Sequence, residues 1–192
     1  MSSSAGESCP LASFPDGSTP ACNEMKRIRR AARELALNIL YQWDACGVPF
    51  SEALETALEM ADLSELETKD SSKSEEARGY AKDLAQGVLA NIKEVDEQIE
   101  SLSKDWPLDR QPAVDRNILR MAIYEIKYVE TVPAVVAVDE AVELAKKYST
   151  AESGKFVNGV LAGYIKAHKD NLEADFGSKN IGRGGACKRD KK

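Results

Sequence analysis

The stretch EMKRIRRAARELALNILYQWD, Glu24–Asp44, decides the fold. Ile28, Ala32, Leu35, Ile39 and Trp43 recur at the three-to-four spacing of a helix that buries one stripe, and Ala36 and Leu40 widen that stripe. Gly47 and Pro49 end it, and Ser51 reads as the N-cap of a second helix carrying Leu54, Ala57, Leu58 and Ala61. After the polar stretch 69–74, Tyr80, Leu84, Val88, Ile92, Val95, Ile99 and Leu102 form the stripe of one longer helix. Three such helices make a small bundle.

Pro107 and Pro112 bracket a linker. Beyond it Val114, Ile118, Leu119, Ala122, Ile126 and Val129 give the broad apolar face expected of a central helix. Pro133 stands where a first-turn proline is tolerated and opens a helix over Ala134–Tyr148, and the last helix covers about 153–169. No alternating strand pattern persists. The expected fold is therefore all-α, two small packed helical bundles at 24–106 and 107–170. They are flanked by a Ser-, Pro- and Gly-rich extension, 1–23, and a basic tail, 171–192, both expected to be disordered.

The bulk properties narrow the function classes. Of 192 residues 43% are hydrophobic and 30% charged, ordinary for a globular chain, and the net charge of −6 argues against coating nucleic acid over the whole surface. Any nucleic-acid contact must be a local basic patch. Cys9, Cys22, Cys46 and Cys187 form no C-x-x-C pair, so neither a metal site nor a disulfide framework is expected, and no cofactor. No apolar run reaches the roughly 20 residues of a membrane span, and the N-terminus lacks a signal-peptide pattern, which together point to a cytoplasmic protein. His168 is the only histidine, so no Ser-His-Asp or Cys-His arrangement can be built without it, and the chain does not read as an enzyme.

Three features carry candidate chemistry. Lys26, Arg29, Arg30 and Arg33 project from one side of the first helix, away from the Ile28/Leu35/Ile39 stripe, and could align against phosphates; an ordinary solvated face is the other reading. In Ser153-Gly-Lys-Phe-Val-Asn-Gly159, Phe156 beside Lys155 fits either a stacking platform for an unpaired base or a core position. Asp115, Arg116 and Arg120 interrupt the central helix, as intrahelical pairs or as a docking surface.

Three segments in register resemble the NusB family: Arg29-Arg-Ala-Ala-Arg-Glu-Leu-Ala-Leu-Asn-Ile-Leu-Tyr-Gln-Trp43, Asp115-Arg-Asn-Ile-Leu-Arg-Met-Ala-Ile-Tyr-Glu125, and Asp139-Glu-Ala-Val-Glu-Leu-Ala-Lys146 leading into Lys155-Phe-Val-Asn-Gly-Val-Leu161. The likeness spans about 26–166. It implies an all-α pair of bundles that binds boxA single-stranded RNA together with the ribosomal protein NusE. Acting with the transcription elongation complex, such a factor supports read-through of ribosomal RNA operons; a homodimer is a further possibility. Carried over by position, the resemblance implies RNA contacts by Arg29, Arg30 and Arg33, with Lys26 beside them, and by Tyr41, Glu152, Lys155 and Phe156. It implies partner contacts by Asp115, Arg120 and Tyr124. The chain departs from the family pattern at Gly154, where His is common, at Ala134-Val135 for Tyr-Lys, and at Asp139 for Asn. Two other readings stand beside this one: the RNA-binding module of an rRNA methyltransferase without its catalytic domain, and a protein-only scaffold.

Overall fold

Pro20–Asp44 forms helix α1 in the computed structural model, which describes residues 20–66 and 72–168. The helix thus begins inside the segment expected to be an extension, and the remainder of that extension, with Cys9, lies outside the described residues. So do the tail from 169 onward and Cys187. At its C-terminal end the chain turns through Gly47, whose φ of +70° lies in the left-handed region that a side chain disfavours. The Val48 N–H closes this turn on the Gln42 carbonyl at 3.2 Å.

Helix α2, Phe50–Met60, starts one residue before the expected cap, with Pro49 at the N-cap and no side-chain cap bond. A proline there fixes the backbone without needing a donor, so Ser51 falls inside the first turn. A 3₁₀ turn at Ser64–Leu66 precedes the undescribed residues 67–71.

The single long helix expected through Leu102 is two helices, α3 (Ser72–Ala90) and α4 (Ile92–Leu102). Asn91 breaks it with φ −112° and ψ 15°, and its side-chain amide donates to the Gly87 carbonyl at 2.8 Å. An Asn side chain can compete with the helix for backbone partners, while the apolar stripe runs on across the break, so periodicity alone hides it. Helices α5 (Ala113–Tyr128), α6 (Ala134–Tyr148) and α7 (Ala151–Ala167) follow. Helix α7 opens two residues earlier than expected because Thr150 caps it, accepting from the Ser153 N–H at 3.0 Å.

No strand occurs among the described residues. Helices α1, α2 and α3 pack on one side and α6 and α7 on the other, with α5 between, touching α1, α3, α4, α6 and α7. That position explains why ten of its residues are buried, Asp115, Asn117, Arg120 and Glu125 among them. The buried residues of both halves, from Ile28 to Tyr164, form one connected cluster.

Candidate nucleic-acid interface

Helix α1 carries the cationic residues, and its packing divides them. Lys26 is exposed and Arg30 projects outward with about half its side chain in solvent. Arg33 does not share that side. It is 3% exposed, with its guanidinium held against Glu125 of α5 at 2.9 and 3.0 Å. The expectation of four aligned surface cations is corrected here, because α1 is wrapped on two sides. At about 100° per residue Leu37 and Leu40 fall on either side of Arg33, and both are buried. Those two leucines were the signal in the sequence that this side is also covered.

A buried arginine needs compensation, and the surrounding helices supply it. Burial works against the Arg33 charge, but Glu125 outweighs it and holds the pKa above the ordinary arginine value. Tyr80 of α3 donates its hydroxyl to the same Glu125. Burial, reinforced by Glu125, pushes the Tyr80 phenol well above its usual range. Arg29 lies on the Tyr80 ring, 3.8 Å from its centroid, with one terminal nitrogen buried and unmatched by any acceptor. Arg30 forks onto Glu140 of α6 at 2.8 and 3.0 Å, and this bond, then the charge of Glu140, raises its pKa. Tyr80, Glu125 and Glu140 thus set where the arginines point; sequence reasoning placed Tyr80 only in an apolar stripe and gave none of the three a part in the site. Glu125 was traceable: a carboxylate between Met121, Ile123 and Ile126 must find a cation.

Further along α1, Tyr41 is 40% exposed. Glu152 and Lys155, on the first turns of α7, are exposed and paired with each other at 2.8 Å. Phe156 is half-buried: it packs on the core, and its ring meets Trp106 at 4.8 Å between centroids with 52° between planes. Phe156 is thus neither a fully buried core position nor a fully exposed one. Gly154 lies close to α6, where an added Cβ would come 3.1 Å from Cγ of Lys146.

The candidate partner residues lie deeper than their expected role requires. Asp115 has no exposed surface, and neither carboxylate oxygen has a hydrogen-bond partner. Arg120 is 5% exposed and locked between Asp96 (2.7 and 2.9 Å) and Asp44 (3.2 Å). Tyr124 is half-buried against α3, above Gly87. The reason is the central place of α5, which leaves few of its side chains free to meet another molecule.

A wide cleft of about 500 Å³ runs beside the cations, between α1, residues 61–66 and the end of α6. His168 ends α7, stacked on Tyr164 at 4.3 Å between centroids, and no cluster of three or more metal-ligating side chains occurs among the described residues. Among those residues no helix is long and apolar enough to cross a membrane.

A family model described as NusB family matches residues 30–166. The transcription antitermination protein NusB of Symbiobacterium thermophilum is 44% identical over 147 residues, covering 77% of this chain and 95% of that protein. That of Myxococcus xanthus is 41% identical over 133 residues, 69% of this chain and 91% of that protein. Among solved structures, NusB from Aquifex aeolicus superposes with a TM-score of 0.60 at 30% identity, covering 86% of this chain and 96% of that one. A chain from a complex of the antitermination factors NusB and NusE with double-stranded RNA superposes with a TM-score of 0.60 at 34% identity, covering 73% and 98%.

Proposed function

Because the chain belongs to the NusB family, we propose that it is a transcription antitermination factor. In this reading it binds boxA RNA together with NusE and supports read-through of ribosomal RNA operons. The observation that carries the reading is the α1 surface. On a chain of net charge −6, Arg30 and Lys26 stand exposed on one helix that also presents Tyr41. Cations for phosphates beside a ring for a base are the means by which unpaired RNA is held. The likeness to a chain solved with NusE and RNA supports both partners.

Within this proposal the residues divide by depth. Lys26, Arg30, Tyr41, Glu152, Lys155 and the outer edge of Phe156 make direct contacts. Arg29 offers the edge not covered by Tyr80, and Arg33 acts through the ion pair that fixes α1 on α5. NusE, the elongation complex and a second copy of the chain are partners whose surface is not given by Asp115, Arg120 and Tyr124 acting directly.

Binding of boxA, scrambled and double-stranded RNA, with and without NusE and across salt concentrations, tests the proposal. Preference for boxA is expected, with log affinity falling by about 0.7 per phosphate contacted per log unit of salt. Equal affinity for scrambled RNA in the presence of NusE would sink it. Arg30→Ala should weaken binding and flatten the salt slope while leaving the melting temperature nearly unchanged, since the Arg30 side chain is about half in solvent.

A further inference from the structure

Besides Arg30, the cleft beside α1 is lined by residues that the RNA reading has not used. Arg27, Arg30 and Lys147 stand around it, Leu35 and Leu63 contribute apolar walls, and Tyr148 lines it too. Past Tyr148 it meets a second hollow of about 300 Å³ that reaches Tyr41 and Val114, and Glu34, Asn38 and Tyr148 line both. Glu34 holds the junction. One of its oxygens accepts from the Lys147 ammonium at 2.7 Å and the other from the Tyr148 hydroxyl at 2.8 Å. Lys147 is raised above its usual value by the bond to Glu34 and then by Tyr148, while burial first and Glu34 second raise the phenol. Tyr148, tethered by its hydroxyl, is 44% exposed as a residue, with the Lys147 ammonium 5.0 Å from its ring centroid.

Position adds to chemistry. Lys147 and Tyr148 end α6, and only Ser149 and Thr150 separate them from α7, whose first residues include Glu152 and Lys155. The turn therefore lies between the two groups assigned to RNA, the α1 face and the start of α7. We propose that Lys147 and Tyr148 form a further nucleotide-binding element, in which Tyr148 stacks on a base, Lys147 meets a phosphate and Glu34 positions both. This rests on the RNA-binding reading above and extends it along the cleft. Single-stranded RNA is the occupant that the chemistry favours. Three cations suit a polyanion, a tethered exposed ring suits an unpaired base, and the carboxylates of Glu34 and Asp62 can accept exocyclic amino hydrogens.

The test measures boxA RNA binding to the full chain by fluorescence anisotropy, using the intact oligonucleotide and versions shortened from each end. Tyr148→Ala should weaken binding about 5- to 150-fold, whereas Tyr148→Phe, which keeps the ring, should retain most of the affinity. Lys147→Gln should lower the salt slope by about 0.7. One shortened RNA, lacking the nucleotide that reaches the cleft, should bind wild type and Tyr148→Ala alike. A Tyr148→Ala chain that binds as wild type does, a Tyr148→Phe loss as large as the alanine loss, or the same loss on every shortened RNA would overturn the assignment. Should Tyr148→Ala fail to fold, the Lys147→Gln slope and the phenylalanine variant decide. Arg30→Ala separates the two levels. If it weakens binding while the Lys147 and Tyr148 variants do not, only this element fails; if the wild-type chain binds no RNA, the functional reading fails with it.

Discussion

Arg33 and Arg30, one helical turn apart on α1, illustrate how differently two arginines of one motif can act. The Arg33–Glu125 pair is almost wholly out of solvent, with 4% and 2% of the side chains exposed. Removing one partner strands the other charge in a medium of low dielectric. Glu125→Ala should therefore cost about 3–5 kcal/mol, visible as a large drop in urea midpoint, and it also releases the Tyr80 hydroxyl. A loss below about 1 kcal/mol, as for a surface pair, would show that the pair is solvated. The exposed Arg30–Glu140 pair should behave otherwise. Glu140→Gln removes a competitor for the Arg30 guanidinium, so RNA affinity should rise and its salt dependence steepen while the melting temperature moves little. Weaker RNA binding by Glu140→Gln would mean instead that Glu140 is needed to aim Arg30.

At the scale of elements, the α3–α5 contact depends on a missing side chain. A Cβ at Gly87 would lie 2.1 Å from Oη and 2.2 Å from Cζ of Tyr124. Helix propensity alone favours alanine there by about 1 kcal/mol. Displacing the Tyr124 ring should outweigh that gain, so Gly87→Ala is expected to destabilise by about 1–3 kcal/mol; a raised melting temperature would show that the ring swings away freely. This contact was illegible in the sequence, because a glycine in a helical stripe does not say which ring approaches it. The helices themselves were legible, since α1, α5 and α6 have long stripes with proline or glycine punctuation. The break at Asn91 was not, because the stripe continues across it. Site residues divided the same way. Lys26 and Arg30 are exposed, and a wheel drawn on one helix suffices to place them at the surface. Arg33 and Asp115 lie between helices, where their surroundings depend on which neighbours arrive.

For the whole molecule, what joins the two halves is both apolar and ionic. One connected core runs from Ile28 to Tyr164, so the boundary expected near residue 106 should not appear as a second unfolding step. At the end of α1, Asp44 ties that core together electrostatically. It accepts from Arg116 at 2.5 Å and from Asn117 at 3.0 Å, and lies 3.2 Å from Arg120, which in turn holds Asp96 of α4. Burial by itself would raise the Asp44 carboxyl, but Arg116 and Arg120 outweigh burial and hold it below the usual value of 3.8. The folded pKa being the lower one, the unfolded chain takes up the proton first as pH falls. The contribution of Asp44 is therefore complete above the ordinary carboxylate range and is lost as pH drops through the folded value. The comparison that isolates Asp44 is between wild type and Asp44→Asn. At neutral pH the variant should be less stable by about 1.5–3 kcal/mol. In urea titrations carried from pH 7 to pH 3 the gap should narrow on the acid side, because the wild type is losing what the variant never had. Parallel curves across that range would mean that Asp44 keeps its charge throughout, or that Arg116 and Arg120 find other partners.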